Sequence, residues 1–307
     1  MNKSILFNLL FSKIGIILLF LIIFIIFIFS TSILVLANHS LNLKLKLLEN
    51  QVLTYQQANY YYIPFLQTKK EFNSQERIIF SVKNLKNNGE TYTSEYTINT
   101  FISQNFKQDA LNLINNFLLK GFKVIFVMKS NYELIYSPEI IYFYENLPDY
   151  EKNKNLVQYL KNNEYFLNIA KNSITWMKPL NDGELISEYQ NGYVKFNIKV
   201  NYNFIGYKTI DLNKRLAKLN TMLYKAEGRV LSVSSNLNLF NALELVDSQI
   251  NSFEYYEKDT HIPVLLQREI KMKFNIIDDN FGKEYYKNTG SKYFQFELLR
   301  TLMLVSK

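Results

Sequence analysis

Residues 194–239 read VKFNIKVNYNFIGYKTIDLNKRLAKLNTMLYKAEGRVLSVSSNLNL. In the first third, Val194, Phe196, Ile198, Val200, Tyr202 and Phe204 alternate with Lys195, Asn197, Lys199, Asn201 and Asn203. A period of two places one set on a buried sheet face and the other in water. Gly206 then turns the chain, and Asp211 is a good N-cap. Leu212, Leu216, Leu219 and Leu223 follow at helical spacing, with Lys214, Arg215 and Lys218 pointing outward and Gly228 beyond the end. Arg229–Leu239 resumes as a strand with Leu231, Val233, Leu237 and Leu239 in step. The stretch therefore predicts strand, helix, strand.

Upstream, the same order of elements recurs. Arg77–Lys83 alternates as a strand, and Thr91–Phe101 is extended and rich in Tyr and Thr. Asp109–Lys120 places Leu111, Ile114 and Leu118 on one helical face, with Gly121 at its end. FKVIFVMKSNYELIY then reads as two strands turning near Ser130 and Asn131. Leu156–Met177 has Leu160, Leu167 and Ile174 at sevenfold spacing, ends near Pro179, and is followed by a turn at Asn181, Asp182 and Gly183. Downstream, Ala242–Lys258 reads as a helix, Val264–Ile277 as an alternating strand, and Tyr293–Val305 as either. The expected fold is α+β: two ferredoxin-like modules with antiparallel sheets, at 64–180 (with its long connecting helix) and 181–307.

Toward the amino terminus, Ile14–Ala37 reads IGIILLFLIIFIIFIFSTSILVLA, 24 residues without a charge. As a helix it would be about 36 Å long, enough to cross a bilayer core of about 30 Å. The expectation is a transmembrane helix at 14–37, a cytoplasmic tail at 1–13, and the large remainder on the periplasmic side of an inner membrane. Lys3 and Lys13 on one side and Lys44 and Lys46 on the other leave the charge bias nearly flat. After the span, Leu41, Leu45, Leu48, Val52 and Tyr55 recur at steps of four and three, which predicts a coiled-coil stalk at 38–63 and an interface along that seam.

Motifs for catalysis are missing. The chain has no cysteine and only His39 and His261, so a thiolate metal site, a multi-histidine site and a Ser-His-Asp triad have little to build on. No phosphate-binding glycine motif is present. Asp278 and Asp279 are adjacent acids but do not have the spacing of a calcium loop. Glu184 and Glu188, at about one helical turn, read as solvated surface rather than an acid/base pair. No enzymatic activity and no cofactor are expected. Aromatic and lysine-bearing stretches such as FGKEYYKNTGSKYF resemble single-strand stacking platforms. Abundant Lys, Asn, Ile, Phe and Tyr, all with A- and T-rich codons, explain them equally well, so direct nucleic-acid binding is not expected.

With Gly206-Tyr207 as its turn and Arg229-Val230 opening its second strand, 194–239 resembles the PilO and GspM class of inner-membrane assembly-platform proteins. These belong to type IV pilus, type II secretion and DNA-uptake machines. The resemblance implies a non-catalytic bitopic scaffold, with DNA uptake in competence among the processes it would serve, that dimerises with itself or with sister platform proteins. The alternatives are an extracytoplasmic sensory or ligand-binding protein and an organelle-encoded accessory subunit of a membrane complex.

Overall fold

The computed structural model describes residues 43–62, 74–103, 108–135, 139–142, 154, 155, 158, 165–180, 183–189, 192–212, 218–236 and 238–307. The stretch 14–37 lies outside them, as does Leu41. Eleven strands dominate: β1 (Val52–Tyr62), β2 (Ser74–Asn87), β3 (Thr91–Ser103), β4 (Phe122–Lys129), β5 (Glu139–Tyr142), β6 (Gly183–Tyr189), β7 (Gly192–Ile210), β8 (Leu219–Ser235), β9 (Leu243–Glu257), β10 (Pro263–Ile276) and β11 (Tyr293–Ser306). Among the described residues four helical segments accompany them: α1 (Gln108–Gly121), α2 (Tyr165–Met177), the short α3 (Asn238–Asn241) and α4 (Asp279–Thr289).

All strands belong to one antiparallel sheet, ordered β5-β4-β3-β2-β1-β11-β10-β9-β8-β7-β6. It consists of two meanders that meet where the first strand pairs with the last, Tyr55 opposite Leu304 and Asn59 opposite Arg300. This corrects the expectation of two ferredoxin-like modules, since one ladder runs continuously through both halves of the chain.

The predicted helix after Asp211 is also overturned from Leu219 onward. Leu219–Ser235 is strand β8, paired with β7 from Ile210↔Leu219 to Val194↔Ser235. Gly228 closes no helix; it sits mid-strand, where a Cβ would lie 2.1 Å from the Lys199 carbonyl oxygen. Ala242–Lys258, expected to be helical, is β9. The strands expected at Arg77–Lys83, Thr91–Phe101, Tyr193–Phe204 and Val264–Ile277 are present, as is the helix at Asp109–Lys120.

The coiled-coil stalk is likewise absent. Residues 43–48 run extended, with Leu43, Leu45 and Leu47 buried and Lys44 and Lys46 exposed, before β1 begins at Val52. Of the expected seam, Leu45 and Tyr55 are core residues, whereas Leu48 is 75% and Val52 42% exposed. This segment is a strap that links two turns. The Leu45 amide donates to Ser130 O (2.7 Å) after β4, and the Lys46 amide donates to Thr260 O (2.8 Å) between β9 and β10.

Strands β4 and β9 stand six positions apart in the sheet, about 29 Å if the sheet were flat. Yet the hydroxyl of buried Tyr132 also donates directly to the His261 carbonyl across the same gap. The sheet must therefore curl until this end is nearly closed. The His261 ring assists: its Nδ1 lies 3.0 Å from the Lys44 amide nitrogen and 2.8 Å from the Lys44 carbonyl oxygen. Tyr132 and His261 both hold positive φ (67° and 58°), a conformation that non-glycine residues seldom adopt.

The strap and a coiled coil make opposite demands on neighbouring leucines. Leu45→Ser should lower the unfolding free energy by about 2–5 kcal/mol, as other large-to-small core changes do. Leu48→Ser should stay within about 0.5 kcal/mol of the parent. Chemical denaturation of the detergent-solubilised chain measures both; equal losses at the two positions would return the seam to a helical interface.

Candidate functional site

The concave face of the curled sheet carries two apolar clusters. One joins β1–β4, α1, most of α2 and the strap with Met222, Tyr256, Ile262, Leu266, Leu302 and Leu304 from one end of β8–β11. The other joins β7–β11 with Tyr285 of α4, together with Trp176 and Leu180. Helix α2 buries one face, formed by Phe166, Leu167, Ile169, Ala170, Ser173, Ile174, Trp176 and Met177, while Asn168, Lys171, Asn172 and Thr175 on the other side are half-buried. Helix α1 is one-sided: Leu111, Ile114, Phe117 and Leu118 face inward.

Asn115 clasps α1 to the sheet. Its amide accepts from the Phe101 backbone N–H (2.6 Å) and donates to the Phe101 carbonyl (2.8 Å), just past the point where the β3–β4 ladder stops at Tyr96↔Val124. Beneath it, phenylalanines from four elements converge. Phe166 of α2 lies 5.7 Å from Phe101 of β3, 6.4 Å from Phe117 of α1 and 6.3 Å from Phe122 of β4, measured between ring centroids. Alongside, Tyr55, Phe80 and Tyr96 stack across β1, β2 and β3 at 5.5 and 4.9 Å.

Between the clusters lies a buried polar seam made of Gln57, Asn59, Ser252, Glu254, Arg268 and Arg300. Arg268 divides its guanidinium among three acceptors. Nε donates to Glu254 Oε1 (2.7 Å), Nη1 to Trp176 O (2.8 Å) and Nη2 to Lys178 O (2.7 Å). The last carbonyls of a helix have no intrahelical donor and carry partial negative charge, so a cation there satisfies both needs. The Arg300 guanidinium, directly opposite Arg268 in the β10–β11 ladder, lies 3.8 Å over the Trp176 ring.

Glu254 accepts from Arg268 and Ser252 Oγ (2.8 Å) on Oε1, and from Tyr202 (3.0 Å) and Tyr256 (2.6 Å) hydroxyls on Oε2. A carboxylate has about four lone-pair sites, and here four are occupied by the protein. The arrangement fixes α2 in place and leaves Glu254 poorly suited to proton transfer with a substrate.

Nothing in the sequence reading pointed to this seam. Arg268 and Glu254 come together only through strand pairing, and each interrupts an otherwise apolar alternation. The residues that were singled out lie elsewhere. Asp278 is the N-cap of α4, accepting from the Phe281 amide at 2.7 Å, and Asp279 falls in the first turn. Glu184 and Glu188 lie on strand β6, not on a helical turn. His261 lies in the β9–β10 turn and meets the strap at Lys44. Among the described residues, no group of three or more His, Cys, Asp or Glu could hold a metal ion.

No family model and no curated protein matches the chain. Solved structures do, at low identity. One, described as lipid–protein interactions in lipovitellin, is 10% identical with a TM-score of 0.39, covering 85% of this chain and 26% of its own. A DUF1329 family protein from Desulfovibrio piger is 8% identical with a TM-score of 0.24, covering 83% and 86%. A putative outer membrane lipoprotein-sorting protein domain from Vibrio parahaemolyticus is 7% identical with a TM-score of 0.19, covering 82% and 84%. The chain thus spans about a quarter of the lipovitellin chain. Likeness at this level does not by itself indicate shared function, and none of the three descriptions names an enzyme.

The assembly-platform resemblance does not survive. Its strand–helix–strand core is a β-hairpin from Leu219 onward, and its coiled coil is a strap. The scaffold function, the sister platform partners and the single-pass inner-membrane placement go with it. Among the described residues no helix is long and apolar enough to cross a membrane.

Two measurements probe the seam. Glu254→Gln removes one charge of a buried pair and should cost about 3–5 kcal/mol of stability, and Arg268→Lys, which cannot reach three acceptors in one plane, should also be destabilising. The second concerns alkaline pH. Burial holds the hydroxyls of Tyr55, Tyr96, Tyr132, Tyr202 and Tyr256 above the ordinary tyrosine value of 10.0, with Glu254 adding to the effect at Tyr132, Tyr202 and Tyr256. The unfolded chain begins to lose these protons near pH 10 while the folded chain keeps them. Stability from these groups is thus fully present below that pH and falls as pH rises above it. The share of tyrosinate absorbance that a Tyr256→Phe variant lacks should appear in step with loss of structure; its appearance in the intact fold would contradict the burial.

Proposed function

We propose that this chain is a non-catalytic, membrane-associated lipid-binding protein that takes up an acyl chain between α1, α2 and the concave face of β2–β4. The observation that carries the reading is the convergence of Phe101, Phe117, Phe122 and Phe166 from four separate elements under a one-sided helix. Apart from the Asn115 clasp, α1 is held here by apolar side chains. An acyl chain entering beneath it would replace those contacts with others of the same kind, so little free energy separates the empty and occupied forms. A polar substrate would find no comparable match, because the seam's main charged groups are engaged by one another and by α2.

Association with a membrane is supported by the uncharged run Ile14–Ala37, whose transfer to an apolar phase is strongly favourable. The descriptions of two structural neighbours concern lipid or lipoprotein for those proteins. For this chain the proposal rests on the phenylalanine cluster.

The test is photocrosslinking of the full chain in nanodiscs with a diazirine-bearing fatty acid, followed by peptide mapping. Adducts are expected on 108–121 and 165–177, and should be competed by unlabelled fatty acid. Asn115→Ala, which removes a clasp worth about 1–2 kcal/mol, should speed labelling of both peptides. Adducts confined to residues 1–40 would overturn the reading.

A further inference from the structure

The hairpin of β7 and β8 ends in side chains that neither apolar cluster absorbs. Phe204 and Ile205 are each 51% exposed and Tyr207 is 62% exposed. The two rings are in contact, Phe204 lying 5.2 Å from Tyr207 and 5.3 Å from Tyr224 between centroids, and Ile205 is next to Phe204 in the chain. Beside them is an open hollow of about 280 Å³ lined by Tyr207, Lys208, Thr209, Asn220 and Lys258. Two lysines and no carboxylate line it, and the Lys258 ammonium also lies 5.0 Å over the Tyr207 ring.

This end of the sheet is continuous with the strap. The Lys258 amide donates to Asn220 O of β8 (2.9 Å), two residues before Thr260 receives the Lys46 amide. Exposed lysines at this end are Lys44, Lys46, Lys208, Lys218 and Lys258, set against Glu49, Asp211 and Asp259, while Lys307 is paired with Glu257 at 2.6 Å. The chain enters the described fold here, at Leu43, six residues after the apolar run Ile14–Ala37 ends.

We propose that the β7–β8 end is a docking surface for an anionic phospholipid bilayer, with a lipid phosphate held between Lys208 and Lys258 and Phe204, Ile205 and Tyr207 set into the interface. Exposed aromatic and aliphatic side chains beside lysines match the layered chemistry of a bilayer surface, apolar below and negatively charged above. A soluble polyanion would be served by the lysines but would leave the three apolar side chains in water. The inference stands apart from acyl-chain uptake, since no residue of the interior cluster takes part.

Because the chain has no cysteine, a single introduced thiol can be labelled uniquely. Full-length Ile205→Cys, carrying an environment-sensitive fluorophore, is compared with Lys287→Cys on α4, in vesicles of phosphatidylcholine alone and with about one third phosphatidylglycerol. The expected result is a blue shift and quenching by doxyl-lipid for the label at 205, in the anionic vesicles only, with the label at 287 unchanged. Lys208→Gln or Lys258→Gln should each reduce the engaged fraction about fivefold. Both lysines are on the surface, so these variants fold. A 205 label equally wet in both vesicles overturns the proposal. So does a blue shift that ignores lipid charge and grows with protein concentration, which would assign the surface to a second copy of the chain.

Discussion

Arg268 holds the second meander to the helix that both apolar clusters share. It reaches from the floor of the sheet to the carboxyl end of α2, and its three bonds give α2 a fixed end point that apolar packing alone would leave free to slide. Burying a guanidinium is costly unless geometry and counter-charge are both supplied. Glu254 supplies the charge, and Ser252, Tyr202 and Tyr256 complete its coordination. Replacing the set by hydrocarbon would preserve volume, but the register of α2 against the sheet would be lost. The polar seam therefore acts as a specificity device, setting one arrangement of two apolar clusters among several of similar packing energy.

The topology makes that device necessary. The first and last strands pair at the middle of the sheet, so the two meanders join only after the whole chain is available. Each meander is built from neighbouring strands and needs little loop closure, but their union closes a loop of more than two hundred residues. The strap reinforces the same union from the rim: two consecutive amides, of Leu45 and Lys46, bond turns that belong to opposite meanders. Curvature, in this view, is imposed from three places: the β1–β11 ladder, the Arg268 anchor and the strap.

What the sequence revealed followed from how apolar and polar residues are distributed along each strand. β10 was legible because Ile270, Met272 and Phe274 face inward against Lys271 and Lys273. β9 was not, because two of its inward positions are Ser252 and Glu254. With those polar, Leu243, Val246, Ile250 and Phe253 stand at a spacing that imitates a helix, although Val246 and Phe253 are exposed. The same buried network that anchors α2 thus erased the strand signal of β9. At the strap, Leu45, Leu48, Val52 and Tyr55 stand at heptad spacing, but Leu48 and Val52 flank the turn made at Asn50, with φ of 61°, and are exposed. The alternative signal was present: Leu43-Lys44-Leu45-Lys46-Leu47 is a period of two. The candidate site was least legible, since a hydrogen-bonded set from β7, β9, β10 and α2 has no local pattern to detect.

The two ends of β7 illustrate how burial and function diverge on a single strand. Val194, Phe196, Ile198 and Val200 are buried in strict alternation, and the pattern decays through Tyr202 to exposed Phe204. A strand whose apolar residues served only the core would become polar where the core stops, as unburied aromatic side chains bring no packing gain and invite association. Instead the apolar character continues past the core and acquires a second exposed residue on the opposite face at Ile205. Gly206, with φ of 143°, then accommodates a register shift between Phe204 and Tyr207 against β8, so that Tyr207 turns alongside Phe204 rather than away from it. The irregularity brings Phe204 and Tyr207 together at one rim, beside lysines, where a regular ladder would have placed them on two faces. Core packing does not require that arrangement; contact with something outside the fold does.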